Sequence, residues 1–240
     1  MRFIALLLAC VLHTQALAKD NSLLLAVASN FASPMQALAK QFESETGITL
    51  KVSLGSSGKH FAQISNGAPY DLFLAADAER PALLEAKNIG LPNSRFTYAI
   101  GQLALWQLGA TEQVTANQLT DATRIAIANP KLAPYGLAAI QTLEKLGLQS
   151  SLKAALVTAE NVSQARQYVY SRNAALGFVA LSQVLDQPAS EYWLVPQHYH
   201  QAIEQQAIVL SDRPEAQQLK AFLLSPATQR IIERYGYLTD

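Results

Sequence analysis

Two short segments combine small hydroxyl and amide side chains at points where an apolar run gives way to a helical pattern. Residues 27–31 (VASNF) place Ser29 and Asn30 at such a point, and residues 54–58 (LGSSG) place Ser57 at the next one. The first turn of a helix carries backbone N–H groups without partners, and the helix dipole favours negative charge there. Two such junctions side by side predict a site that holds an anion with dipoles instead of a full positive charge.

Helix capping and a flexible loop explain the same residues equally well. Serine and asparagine are strong N-caps, so Ser29 and Asn30 are also what the start of a helix requires. The serines and glycines of residues 55–58 suit a flexible loop as well as a close approach to a ligand. Lys59, in the first predicted turn, either adds charge to the site or points into solvent.

Two later positions extend the same pattern. Tyr135 lies between Pro134 and Gly136, just before a helix predicted from about residue 137 to 146. It is either a packed loop aromatic or the donor of a backbone N–H to a ligand. Val162 opens another predicted helix, and because its side chain is apolar, any ligand contact must come from its amide.

Other chemistries have weaker support. A Ser/His/Asp hydrolase can be assembled from Ser57, His60 and Asp71, but the G-x-S-x-G spacing of a nucleophile elbow is absent. His198 and His200 have no cysteine or second ligand cluster nearby, which favours a surface loop over a metal site. The chain is therefore predicted to be a binding protein and not an enzyme, with no cofactor.

Composition restricts the class of protein further. Half of the 240 residues are hydrophobic, 15% are charged and the formal net charge is zero, so the chain can bury a sizeable core. No basic tract is present, and we expect no nucleic-acid partner.

The N-terminus has the pattern of an export signal. Arg2 precedes an apolar run over residues 3–12, and residues 16–18 (ALA) form a cleavage site, which predicts a signal peptide over residues 1–18. The run is roughly half as long as a membrane-spanning helix. Cleavage after Ala18 would release a cysteine-free protein into the periplasm. The alternative is a lipid-anchored form attached through Cys10, the single cysteine.

The remaining chain alternates apolar runs with amphipathic stretches, which indicates βαβ units. Residues 96–106 are a long apolar run and residues 207–210 a later one, and both are predicted to cross between two lobes. The predicted lobe 1 comprises residues 19–100 and 210–240, and lobe 2 comprises residues 101–209. Sheets of this type bind ligands at the carboxyl ends of their strands, so the junctions described above should face the cleft.

Four motifs carry a resemblance to a known family: residues 27–31 (VASNF), 55–59 (GSSGK), 66–77 (NGAPYDLFLAAD) and 234–237 (RYGY). They resemble the periplasmic molybdate-binding proteins, the soluble receptors of molybdate ABC transporters. The match extends over nearly the whole mature chain, and the third motif is its most specific part. The resemblance implies an α/β, two-lobed type II periplasmic-binding-protein fold, each lobe a mixed sheet flanked by helices, with two hinge crossings.

The resemblance also implies a ligand and the residues that hold it. A tetrahedral oxyanion, molybdate or tungstate, would be bound by neutral hydrogen bonds, and the metal atom would have no direct protein ligand. Ser29 and Ser57 would give hydroxyl and amide donors, while Tyr135 and Val162 would give backbone amides from the other lobe. In a second group of the family Asn30 supplies a contact in place of a tyrosine hydroxyl that many relatives use.

One position departs from many relatives. Ala180 stands where they have a ligand tyrosine, and this chain therefore looks more like the group that uses Asn30. The implied partners are an ABC permease with its ATPase, and the implied state is a monomer. A receptor for sulfate, phosphate or chelated iron is the alternative within transport, and a secreted serine hydrolase is the alternative outside it.

Overall fold

The structure is a computed structural model that describes residues 21–239. The predicted signal peptide over residues 1–18, its cleavage site after Ala18 and the alternative anchor at Cys10 lie outside the described residues. Within the described residues, every helix is too short or too polar to cross a membrane.

Strands and helices alternate along much of the described part of the chain. The strands are β1 (Ser22–Ala28), β2 (Thr49–Gly55), β3 (Leu72–Leu74), β4 (Phe96–Gly101), β5 (Leu103–Trp106), β6 (Ile125–Ala128), β7 (Leu156–Ala159), β8 (Leu176–Ala180), β9 (Tyr192–Leu194) and β10 (Ile203–Val209). The helices are α1 (Ala32–Thr46), α2 (Ser57–Ser65), α3 (Glu79–Ala86), α4 (Gln118–Asp121), α5 (Pro134–Lys145), α6 (Gln149–Leu152), α7 (Val162–Tyr170), α8 (Pro214–Leu223) and α9 (Pro226–Arg234). Short 3-10 turns at Ser29–Phe31 and Leu181–Gln183 follow β1 and β8.

The first lobe is built on a sheet with the strand order β2-β1-β3-β10-β4. β1 pairs in parallel with β2 and β3, and β10 runs antiparallel to β3 and β4. Successive side chains of β1 point to opposite faces of the sheet. Leu25 and Val27 pack in the cluster of α1, α8 and α9, while Ala26 packs in that of α2 and α3. Helices therefore cover both faces.

The helix α1 illustrates how the sequence pattern positions these layers. Met35, Leu38 and Phe42 recur at helical spacing and are all buried against the sheet, as their spacing predicts. Gly47 ends the helix with a φ of +70°, and its N–H donates to the carbonyl of Glu43 at 2.8 Å. Helices commonly end at a residue with a left-handed backbone conformation, and glycine adopts this conformation without steric cost.

The second lobe is built on a sheet with the strand order β7-β6-β8-β5-β9. β6 pairs in parallel with β7 and β8, and β5 runs antiparallel to β8 and β9. α5 covers one face of this sheet and α7 the other. The predicted architecture of two lobes, each a mixed sheet flanked by helices, is confirmed.

The crossings between the lobes differ in detail from the sequence prediction. The apolar run over residues 96–106 is two strands in different sheets, separated at Gln102. The return crossing lies before β10, because Ile203–Val209 pairs with β3 and β4 of the first sheet. The predicted boundary between residues 209 and 210 is therefore too late in the chain. Residues 204–206 (EQQ) are three consecutive polar residues in the first half of β10, so only its apolar second half is recognisable from the sequence.

Candidate functional site

Strand register brings the predicted junctions together in pairs. In the first sheet Ala28 at the end of β1 is aligned with Gly55 at the end of β2. In the second sheet Ala128 at the end of β6 is aligned with Ala159 at the end of β7. Each of these strands is followed by a helix or 3-10 turn. Four first turns therefore lie at the carboxyl ends of parallel strands, two on each lobe.

These four turns enclose one small cavity between the lobes, with a volume of about 10 Å³. Its lining includes all five residues predicted to bind a ligand, and each of them is buried. The lining residues are Ala28, Ser29, Asn30, Gly55, Ser56, Ser57, Ala76, Ala133, Pro134, Tyr135, Asn161 and Val162. None of them carries a formal charge.

Main-chain N–H groups are the principal donors at this cavity. Within residues 21–239 no acceptor is found for the N–H of Ser29, Asn30, Ser57, Tyr135 or Val162. All five residues belong to the first turns that meet here, where the N–H groups have no acceptor inside their own helix. The positive ends of the helix dipoles add to the same field.

Ser57 presents a hydroxyl as well as an amide. Its Oγ accepts a hydrogen bond from the N–H of Ala76 at 2.9 Å, so its own proton remains available as a donor. The neighbouring Ser56, and not Ser57, is the N-cap of α2, and its Oγ accepts from the N–H of Lys59 at 3.4 Å. The two serines thus have separate roles, and helix capping does not account for Ser57.

Ser29 connects the two lobes across the cavity. Its hydroxyl donates to Oδ1 of Asn161 at 3.2 Å, and its carbonyl accepts from the hydroxyl of Ser163 at 3.1 Å. Asn161 is the N-cap of α7 and accepts from the N–H of Gln164 at 3.1 Å with the same oxygen. Helix capping therefore does not explain Ser29. The hydroxyl proton of Ser29 is donated to Asn161 in the second lobe, and rotation of the hydroxyl would direct it to a ligand instead.

The side chain of Asn30 is occupied by structural contacts. Its Nδ2 donates to Oε1 of Gln205 at 2.7 Å and to the hydroxyl of Tyr237 at 2.9 Å. The carbonyl of Asn30 in turn accepts from the hydroxyls of Tyr237 and Ser182, at 2.8 and 2.9 Å. Burial raises the pKa of Tyr237 to about 12, which keeps this hydroxyl protonated. The donor that Asn30 still offers to the cavity is its main-chain N–H.

Tyr135 differs from its predicted setting. The helix α5 begins at Pro134, not near residue 137, so Tyr135 is a first-turn helical residue and not a loop residue. Proline is favoured at the first helical position because its missing N–H would have no partner there. The tyrosine ring is buried near Asn30 and Tyr237, and its hydroxyl has no aligned hydrogen-bond partner within residues 21–239.

The hydrolase alternative is not supported by the geometry. Nδ1 of His60 lies 3.1 Å from Oε1 of Gln63 and is not paired with Asp71. Asp71 instead accepts from the N–H of Leu24 at 2.8 Å and from the hydroxyl of Ser211 at 2.7 Å. Among the described residues no group of three or more His, Cys, Asp and Glu side chains could hold a metal ion.

Several supporting residues were missed by the sequence analysis. Asn161 and Gln164 have the spacing of a capping box, a signal that was available in the sequence. Ala76 and Gln205 act through contacts with residues far away in the chain, and no local pattern marks them. Ala180 is buried at the end of β8 and is not part of the cavity lining.

A neutral, donor-lined cavity between two α/β lobes defines a solute-binding protein of the two-lobed type. The chain belongs to the family of bacterial extracellular solute-binding proteins, which matches residues 23–238. It is 43% identical to the molybdate-binding protein of Azotobacter vinelandii, over 88% of this chain and 88% of the relative. It is 39% identical to that of Rhodobacter capsulatus, over 97% of this chain and 94% of the relative.

A solved structure supports the same assignment. The periplasmic molybdate-binding protein of Azotobacter vinelandii superposes with a TM-score of 0.86 at 38% identity, covering 91% of this chain and 99% of that one. These relatives are binding proteins, so the expectation of a receptor instead of an enzyme is confirmed.

Proposed function

We propose that this chain is an extracytoplasmic receptor that binds molybdate, and tungstate by the same contacts, for an ABC importer. The observation that carries the proposal is the convergence of five free N–H groups and two serine hydroxyls on one uncharged cavity between the lobes. Relatives with 39–43% identity over most of the chain are molybdate-binding proteins. Ser29, Asn30, Ser57, Tyr135 and Val162 are proposed as the binding residues.

The donor set is sufficient in principle to hold a dianion without a cation. A buried charge is costly unless it is fully hydrogen-bonded. Each hydrogen bond to a charged group contributes about 1.5–3 kcal/mol. Seven such bonds together contribute about 10–20 kcal/mol, which matches or exceeds the roughly 4–15 kcal/mol that association costs in lost translational and rotational freedom. Because five of the donors are main-chain groups in the first turns of helices, they are already oriented before the ligand arrives.

The same donors favour some oxyanions over others. Molybdate, tungstate and sulfate are fully deprotonated at neutral pH and accept hydrogen bonds at every oxygen. Phosphate keeps a proton on a substantial fraction of its molecules, and no carboxylate lines the cavity to accept that proton. The proton of bound phosphate would have no acceptor and would face the N–H donors of the cavity, which is costly in a buried site. Sulfate has the same charge and tetrahedral shape as molybdate but is smaller, so the size of the cavity discriminates against it.

The proposed cellular role follows from the family. We infer that the mature protein acts in the periplasm after cleavage at Ala18, as a monomer, and that its closed form is presented to an ABC permease with its ATPase. Closure around the ligand would be the signal that the permease reads. No resident cofactor is needed, because the molybdenum is part of the transported ligand.

Calorimetric titration of the purified mature protein tests the proposal. We expect tight binding of molybdate and tungstate, much weaker binding of sulfate and no heat with phosphate. Strong binding of sulfate or phosphate without a response to molybdate would overturn the assignment of the ligand. Hydrolysis of activated esters that is lost in Ser57→Ala would overturn the assignment as a receptor.

A further inference from the structure

An ion pair connects the two lobes beside the proposed anion cavity. Nζ of Lys59 lies 2.6 Å from Oε1 of Glu160, and the side chains are 51% and 47% exposed. Lys59 is two residues after Ser57 in the first turn of α2, and Glu160 is two residues before Val162 at the start of α7. Each charged residue is therefore tied by a short stretch of chain to a proposed anion donor on its own lobe.

Two more contacts close the same side of the cleft. The N–H of Gly58 donates to the carbonyl of Leu132 at 2.8 Å, and Nη2 of Arg80 donates to the carbonyl of Lys131 at 3.1 Å. Neither contact involves a residue of the donor set. Together with the ion pair they show that this rim of the cavity is held shut by contacts between the lobes.

An anion cannot enter a cavity of only about 10 Å³ while these contacts between the lobes are intact. The lobes must separate to admit it, and separation breaks the ion pair between Lys59 and Glu160. In the separated state the two charges act independently on an approaching dianion, because a few ångströms of water between them already weaken their attraction. Lys59 then attracts the dianion towards α2, and Glu160 repels it from α7.

We propose that Lys59 and Glu160 form an electrostatic rim clasp, in which Lys59 guides the oxyanion into the open cleft and then neutralises Glu160 as the cleft closes. This inference rests on the proposed function. Both residues are positioning residues, since neither lines the cavity. In the closed state the pairing has a second effect, because an unpaired Glu160 beside the donors of α7 would repel the bound dianion.

The clasp predicts a distinctive pattern of rates. Lys59→Met should lower the association rate of molybdate about 2- to 5-fold at low salt, by loss of local attraction. Lys59→Met should also raise its dissociation rate about 2- to 5-fold, the range expected from an exposed ion pair. Glu160→Gln should raise the association rate. Adding Glu160→Gln to Lys59→Met should restore the dissociation rate towards the wild-type value, because it removes the unpaired negative charge.

Stopped-flow measurements of molybdate binding at low and high ionic strength test this pattern, with calorimetry as an independent check of affinity. Lys145→Met is the matched control: it removes the same charge from the exposed last turn of α5, whose first turn lines the cavity. A 12-residue helix places that end roughly 15 Å away. We expect the control to behave as the wild type, and the differences among the other variants to shrink at high salt.

The outcomes separate the clasp from the proposed function. Wild-type protein that does not bind molybdate would refute the function itself. Wild-type binding with unchanged rates in Lys59→Met, equal changes in Lys145→Met, or a double variant that releases molybdate faster than Lys59→Met would refute the clasp alone.

Discussion

At the level of single residues, the groups that donate into the cavity are distinct from the groups that hold these donors in place. Ser57 offers a hydroxyl proton because the N–H of Ala76 occupies its acceptor position. Asn30 offers a main-chain N–H because Gln205 and Tyr237 occupy its side-chain amide. Each donor is thus fixed by a second residue, which lowers the entropy lost when an anion binds.

Replacing Ser57 by alanine should weaken molybdate binding at least 10-fold, the effect of losing about 1.5–3 kcal/mol from one hydrogen bond to a charged ligand. The change also leaves the N–H of Ala76 without its acceptor, so a small loss of stability is expected. Calorimetry measures the affinity, and circular dichroism checks the fold. Ser65→Ala, at the exposed far end of α2, is the matched control. An unchanged dissociation constant in Ser57→Ala would remove Ser57 from the site.

His60 makes the stability depend on pH. The imidazole is buried between the rings of Tyr70 and Phe73, and its Nε2 has no partner within residues 21–239. Burial lowers the pKa of His60 below its ordinary value of 6.5. The unfolded chain therefore binds a proton more readily than the folded one, and stability must fall as the pH drops below about 6.5.

Unfolding experiments between pH 7.5 and pH 5 measure this contribution. The wild type should lose stability towards pH 5, and His60→Phe should lose less, because phenylalanine cannot be protonated and fits the aromatic surroundings. Glu85→Gln in the exposed pair with Arg95 serves as the comparison, since it alters a titratable group in the same lobe but leaves His60 intact. If the stability of the wild type and of His60→Phe fell equally with pH, His60 would not be the cause of the pH dependence.

At the scale of elements, the site is built from helix starts and not from a binding loop. Parallel pairing in register brings two strand ends to the same level in each sheet, and a turn of helix follows each of them. Five of the seven proposed donors are consequently main-chain N–H groups, which substitution of a side chain leaves in place. Only proline can remove one of them.

Val162 allows this test, because it occupies the first position of α7 after Asn161, whose φ of −148° and ψ of 173° are extended. Proline is favoured at that helical position, and it requires an extended residue before it. Val162→Pro should therefore keep the helix and remove one anion donor, weakening molybdate binding by roughly 10-fold or more. Val162→Ala keeps the N–H and should bind nearly as the wild type. Equal affinities in the two variants would show that the amide makes no contact.

At the scale of the whole molecule, the two lobes are closed in this structure. Hydrogen bonds between the lobes run from Ser29 to Asn161, from Ser182 to Asn30 and from Gly58 to Leu132. Because the proposed ligand touches both lobes, binding and closure are one thermodynamic step. A substitution that prevents closure should therefore weaken binding without touching the anion.

Gly58→Ala is such a substitution. A Cβ at this position would lie 2.9 Å from Cα and 3.0 Å from the carbonyl oxygen of Leu132, so the lobes could not approach fully. We expect normal stability of the separate lobes, weaker molybdate binding, and a larger radius of gyration in the presence of molybdate than the wild type has. Small-angle X-ray scattering with and without ligand measures this difference. Identical closure in the two proteins would show that the backbone at Leu132 can yield.

Local patterns in the chain are enough to predict most of its elements and the chemistry of the site. Apolar periodicity marked α1 and β1, and the small polar residues at Ser29 and Ser57 marked the helix starts, because these signals depend on neighbours within a few positions. The sequence also indicated a neutral anion site, since no charged residue was required at any junction. The start of α5 was predicted too late, because Pro134 and Gly136 are typical of loops. The start of β10 was missed because its first half contains three consecutive polar residues.

How these parts act together depends on contacts that form only in the folded protein. The pairing of Asn30 with Gln205 and Tyr237, of Ser57 with Ala76, and of Lys59 with Glu160 joins positions separated by up to 207 residues. Such contacts depend on strand order and on the closure of the lobes, and neither property has a local signature in the chain. The structure thereby shows which residues donate hydrogen bonds into the cavity and which ones hold these donors in place, although both kinds look alike in the sequence.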